Sequence, residues 1–153
     1  MQNPTVKALS TLTANRVRYL LMGGQACVLY GAAQFSRDAD IAVLADRENL
    51  QRLQVALKEL QAHVIAVPPF EQQYLDAGLA VHFRCQRPDL LKLRLDVMSS
   101  MRGVDGFEPL WERRTTIEFD GGHKLELLSV ADLVQAKKTQ RDRDWPMIRA
   151  LVD

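Results

Sequence analysis

The chain has 153 residues, 47% of them hydrophobic and 25% charged, which suits one folded globular domain spanning 1–153. A formal net charge of +1 argues neither for nor against a polyanion partner, so any basic surface must be local, as at Arg84 to Arg94 and Lys137 to Arg143. No apolar run approaches the ~20 residues of a membrane span, the N-terminus lacks a leader-like pattern, and no Cys/His cluster has zinc spacing, so a cytoplasmic protein without a membrane partner is expected.

In chain order, Thr5 to Ala14 reads as a short helix and Tyr19-Leu20-Leu21-Met22 as a fully apolar strand. Gly23-Gly24 turns that strand into a helix through Gln25 to Ala33, in which Cys27 is a buried thiol. Asp38 to Leu44 is a second strand. Asp46 caps a helix whose Leu50, Leu53, Leu57 and Leu60 share one face. His63 to Val67 is strand-like, Pro68-Pro69 breaks it, and Phe70 to Asp76 is ambiguous between element types. Leu79 to Cys85 and Leu91 to Met98 alternate as strands, and Phe107 to Arg113 is a short helix. Thr115 to Phe119 and His123 to Leu127 form a hairpin about Asp120-Gly121-Gly122. Ser129 with Asp132 opens a helix to about Gln140, and a final helix carries Trp145, Ile148 and Val152. Strands and helices alternate early and a hairpin follows late, which predicts an α/β (α+β) fold with a mixed sheet flanked by helices.

The chemistry concentrates in three places. In Asp38-Ala39-Asp40-Ile41, strand period two puts both carboxylates on one face and the apolar residues on the other. Carboxylates so close repel one another unless a cation lies between them, and magnesium prefers such oxygen donors. Gly23-Gly24, between strand and helix, offers backbone N–H groups to an anion at a helix N-terminus. It is neither a Walker loop nor a dinucleotide fingerprint. In Leu91 to Val97 the leucines face one way and Lys92, Arg94 and Asp96 the other, so Asp96 can complete a carboxylate triad and act as base toward a hydroxyl. Lys137 ends the stripe Val130, Leu133, Val134, where a lysine either snorkels outward or enters a polar site. His82 lies on the polar face of its strand. His63 and His123 read as surface residues, and Trp111 and Trp145 as core or core-edge.

Together, Gly-Gly, Asp-x-Asp and a later strand Asp resemble the nucleotidyltransferase superfamily to which DNA polymerase β belongs. The stretches LMGGQACVLYGAAQFSRDADIAV and LLSVADLVQAKKTQRDRDW are similar to its small bacterial and archaeal members. Among these are the minimal nucleotidyltransferases and the AbiEii-like toxins of abortive-infection systems. The resemblance runs from Tyr19 to Trp145. It implies transfer of a nucleoside monophosphate from an NTP, commonly ATP, with two Mg²⁺ ions. By position, Asp38 and Asp40 would bind the metal, with Asp96 as the third carboxylate. Gly23, Gly24, Ser36 and Lys137 would contact the nucleotide. Gln34 stands where relatives often carry Arg, and Arg141-Asp142-Arg143-Asp144 resembles the toxins' last motif.

The acceptor is left open by the resemblance. It is an RNA end such as a tRNA stem, a hydroxyl of a partner protein in a toxin–antitoxin pair, or a small molecule such as an aminoglycoside, for which no second domain is evident. A rival reading is a non-catalytic module that binds a nucleotide or partner with the same fold. The placement of Asp96 relative to Asp38 and Asp40 separates the two.

Overall fold

The structure is a computed structural model and describes residues 3–23, 26, 38–101, 103–119 and 122–138. The strands expected from apolar runs and alternation all form: β1 (Tyr19–Met22), β2 (Asp38–Val43), β3 (Ala62–Val64), β4 (Val81–Cys85), β5 (Arg94–Met98), β6 (Thr115–Phe119) and β7 (His123–Leu127). They join one mixed seven-stranded sheet in the order β3-β4-β5-β2-β1-β7-β6. β2 runs parallel to β5 and β1 parallel to β7; every other neighbouring pair is antiparallel. The described helices are α1 (Pro4–Ala14), α2 (Arg47–Glu59), α3 (Gln72–Asp76), α4 (Phe107–Glu112) and α5 (Val130–Lys137). The mixed α/β class expected from the sequence is the class observed. No described helix is long and apolar enough to cross a membrane.

The sheet has two unlike faces, because side chains alternate along each strand. Tyr19, Leu21, Ile41, Val43, Phe83, Leu95 and Val97 share one face and are buried in a single cluster with Leu9 and Leu12 of α1 and Leu53 and Leu57 of α2. Each such side chain contributes about 1.5–3 kcal/mol by leaving water. The Tyr19 hydroxyl is hydrogen-bonded to the Thr13 hydroxyl of α1 at 3.1 Å, so burial of this tyrosine leaves its polar end satisfied. The opposite face carries Asp38 and Asp40 of β2, Arg94 and Asp96 of β5, and His82 and Arg84 of β4.

Three expectations shift at element ends. The third strand is shorter than His63 to Val67, and β4 starts at Val81, leaving Leu79 exposed. β5 starts at Arg94 because Leu91 (φ 52°) and Lys92 (φ 60°) both adopt left-handed backbone, which no strand can continue. Leu91 therefore leaves the leucine face and is 75% exposed. The ambiguous Phe70 to Asp76 contains α3. The expected helix Gln25 to Ala33, Cys27, the final helix with Trp145, and the end of the Ser129 helix beyond Lys138 lie outside the described residues.

One buried polar side chain ties the scaffold. Asp46 caps α2 through the Asn49 amide N–H. Asn49, 2% exposed, then uses its side chain on the strands: its Oδ1 accepts from Arg18 N (2.8 Å), and its Nδ2 donates to Arg18 O (3.0 Å) and Leu44 O (2.9 Å). It replaces the ladder where β1 begins and β2 ends. Asn49→Leu would leave those backbone groups unpaired, at about 1–3 kcal/mol each before relaxation. A thermal denaturation series should show a melting temperature lower by roughly 5–15 °C; an unchanged midpoint would refute this role.

Candidate active site

Strand register places the chemical residues in two rows across the face opposite α1 and α2. One row reads His82, Asp96, Asp40, Met22 on β4, β5, β2 and β1; the next reads His63, Arg84, Arg94, Asp38 on β3, β4, β5 and β2. Asp40 and Asp96 are thus direct neighbours on parallel strands, although they are 56 positions apart in the chain. Asp96 turns toward Asp40, not away from it. Asp38 stands two residues along β2, with its residue surface exposed.

Gly23, immediately after β1, explains how Asp40 fits. Its φ is +69°, and a Cβ there would lie 2.3 Å from Asp40 Oδ2, 3.1 Å from its Cγ and 3.2 Å from its Cβ. The carboxyl lies where any other residue would put a side chain. The glycine is needed twice, for its backbone angle and for this approach. Gly24 and Ser36 lie outside the described residues, as do Gln34 and the Arg141 to Asp144 segment.

Asp40 is electrostatically the most perturbed group of the site. Burial, first, pushes its carboxyl up to about 7 from 3.8; the charge of Asp96, the hydrogen bond the two share, and Asp38 add to the rise. The positive charge of Lys137 opposes it. Lys137 is itself only 6% exposed. Of its two sequence alternatives, the inward one holds. Its helix is anchored at the other end: the Ser129 hydroxyl accepts from Asp132 N, and Arg113 grips the Asp132 carboxylate with two bonds of 2.9 Å.

Asp96 is held from its other side. Its Oδ1 lies 2.7 Å from His82 Nδ1 and accepts from Arg94 Nε at 3.0 Å. The sequence places His82 and Arg94 on the polar faces of their strands, Arg94 also within a basic cluster. Period two along β4 and β5 was the available signal, but their meeting depends on which strands pair. His63 and His123 are exposed, as expected, and Cys85 is buried. Trp111 packs at the core edge, stacked on Phe107 with the Arg18 and Arg114 guanidiniums over its ring.

The donor set suits a hard divalent cation. Two carboxylates are pressed together so that one retains its proton near neutrality, and a cation would relieve that repulsion. Among the described residues, no three His, Cys, Asp or Glu side chains stand in a shared coordinating arrangement, so Asp38 does not join the Asp40–Asp96 pair in such a cluster. A groove of about 580 Å³ between α2, β3 and β4 is lined by Leu57, Phe70, Phe83 and the edge residue His63, and by neither Asp40 nor Asp96.

The raised carboxyl carries a pH consequence. The folded chain binds the Asp40 proton more tightly than the unfolded chain does, so this stabilisation is full below about pH 4 and is lost as pH rises through about 7. Metal-free protein should lose thermal stability across that window. Asp40→Asn should flatten the profile, and an identical profile in the variant would exclude Asp40 as its source.

No protein-family model matches the chain, and no protein of curated function matches it. Solved structures do match in fold. The lincomycin-bound lincosamide antibiotic adenylyltransferase LnuA has a TM-score of 0.61 at 15% identity, over 98% of this chain and 95% of that one. The antibiotic-resistance factor ANT(2'')-Ia, in solution, has a TM-score of 0.56 at 12% identity, over 97% of this chain and 80% of that one. The same factor in complex with adenylyl-2''-tobramycin has a TM-score of 0.57 at 10% identity, over 96% and 87%. The chain has the fold of these nucleotidyltransferases, with the Asp40–Asp96 pair on the face of its sheet opposite α1 and α2.

Proposed function

We propose that the chain is a single-domain, cytoplasmic, Mg²⁺-dependent nucleotidyltransferase that moves a nucleoside monophosphate from an NTP such as ATP to an acceptor hydroxyl. The observation that carries this reading is the pairing of Asp40 with Asp96 over Gly23 in a nucleotidyltransferase fold. A chain of nearly the same length as LnuA, a lincomycin-bound enzyme, needs no second domain to receive a small acceptor.

Asp40 and Asp96 would hold the magnesium, with Asp38 a further carboxylate two residues along β2 that stands outside the pair; when bound, the ion would supply charge neutralisation at the reacting phosphate. Gly23 and Gly24, with Ser36 and Lys137, orient the triphosphate; the ammonium of Lys137 stands on the Asp40 side, where phosphate charge collects. Asp96 takes the proton of the acceptor hydroxyl. The acceptor oxygen bonds to the α-phosphorus in line as the bond to the bridging oxygen breaks, and pyrophosphate carries the electron pair away. His82 and Arg94 hold Asp96 in place through contacts of 2.7 and 3.0 Å to its Oδ1. The turn of Asp96 toward Asp40 weighs against the non-catalytic module.

Label transfer tests the reading. Each α-labelled NTP with magnesium is offered to small hydroxyl acceptors, to total tRNA and to cell protein, the last two covering the RNA-end and toxin–antitoxin partner readings. Label should move to one acceptor class and stop with Asp40→Asn, while the variant melts as a folded protein. Full activity in that variant would sink the proposal, and tight NTP binding without transfer to any class would favour the non-catalytic module.

His82 gives a finer test. His82→Ala should lower kcat by about 10–100-fold with little change in the KM for nucleotide, because it loosens the aim of Asp96 and not the triphosphate site. His82→Asn, which keeps a hydrogen-bonding group there, should recover part of the rate. Equal kcat in wild type and His82→Ala would remove the histidine from the mechanism.

A further inference from the structure

The side of the site beyond Asp96 has a charge pattern that the transfer reaction does not require. Arg84 on β4 and Arg94 on β5 are directly opposed across an antiparallel pair. Like charges in that position are destabilising in a sheet. Arg94 is compensated by Asp96 at 3.0 Å. Arg84 forms no ion pair among the described residues; its guanidinium donates to the Lys92 carbonyl at 3.1 Å. That carbonyl belongs to the left-handed pair Leu91 and Lys92, and two consecutive non-glycine residues there store strain beside the site. Lys92 is exposed, and His63 continues the same row to the β3 edge.

The position of this strip says what it meets. Within the second row, acid occurs only at Asp38, on the β2 side. Along the first row, Gly23 follows Met22 on the far side of Asp40, and Lys137 also acts on Asp40. The nucleotide phosphates therefore belong to the Gly23 side. A molecule whose hydroxyl reaches Asp96 from the opposite side extends over β5, β4 and β3, across Arg94 and Arg84. An amine-rich acceptor would be repelled there. A phosphate matches a planar guanidinium and replaces the solvent that Arg84 otherwise faces.

We propose that Arg84 and Arg94 form an anion-recognition strip that selects a phosphate-bearing acceptor. This rests on the reading of Asp96 as the residue that receives the acceptor hydroxyl. The phosphate is that of a small sugar phosphate or of a nucleic-acid strand, and the two are separated by the probes below.

The test is calorimetric titration of the full chain, with magnesium, with and without a non-hydrolysable ATP analogue. The probes are ribose 5-phosphate, ribose, glucosamine and a short single-stranded RNA. Ribose 5-phosphate should bind at least about tenfold more tightly than ribose, and glucosamine most weakly. Arg84→Glu should erase the preference and Arg84→Lys should restore part of it. RNA binding that is steeply salt-dependent and lost in Arg84→Glu would name a nucleic-acid phosphate; binding of the sugar phosphate alone would name a small one. Equal affinity for ribose and ribose 5-phosphate, preference for glucosamine, or a phosphate preference untouched by Arg84→Glu would overturn the proposal. The analogue titration reports separately on the nucleotide site. Its failure would refute the nucleotidyltransferase reading, while the probe titrations without nucleotide still decide the strip.

Discussion

Two carboxyl groups held side by side on parallel strands are the constraint from which the rest of the site follows. Asp40 and Asp96 meet because β2 and β5 pair in a register that aligns them. Left alone, the pair would repel and be driven apart or protonated. The surrounding residues each answer that problem. Lys137 lowers the cost on the Asp40 side, His82 and Arg94 lower it on the Asp96 side, and Gly23 gives the Asp40 carboxyl room that any side chain would remove. What remains is an Asp40 carboxyl pushed up to about 7, first by its burial and then by the carboxylate beside it.

The fold separates stability from chemistry by face. Helices α1 and α2 cover one side of the sheet with leucine, valine and alanine, and there Asn49 locks the strand ends to α2. The other side is mixed: Leu20, Met22 and Ala42 are buried on it beside the Asp40–Asp96 pair, while Asp38, Arg84 and Arg94 keep part of their surface. Charges can be crowded on it because the covered face supplies the hydrophobic free energy that offsets them. The α5 anchor works in the same way: a bidentate Arg113–Asp132 bond at one end of the helix sets where Lys137 falls at the other.

The fold is shared with antibiotic nucleotidyltransferases at 10–15% identity. At that distance the architecture is held by which positions are buried and which strands pair. A lincosamide or an aminoglycoside need not be what this chain takes, and the charge beside Asp96 argues for an anionic acceptor.

Local physics was legible in the sequence. Alternation at Asp38 to Val43 gave both the strand and the common face of its aspartates, the apolar run gave β1, and Asp46 and Ser129 gave their helix starts, whereas the close approach of the Asp40 carboxyl to Gly23 came only from the fold. Strand ends were less legible, because nothing local announces that Leu91 and Lys92 turn left-handed and expose a leucine from an otherwise regular alternation. Partnership was legible only in part: Asp96 was expected to join the Asp38 and Asp40 carboxylates, but that it stands beside Asp40, that His82 and Arg94 hold it, and that Arg84 faces Arg94 are consequences of strand order and register. These depend on packing contacts between residues far apart in the chain. The sequence determined which residues could share a face; only the tertiary structure decided which faces, and therefore which charges, stand together.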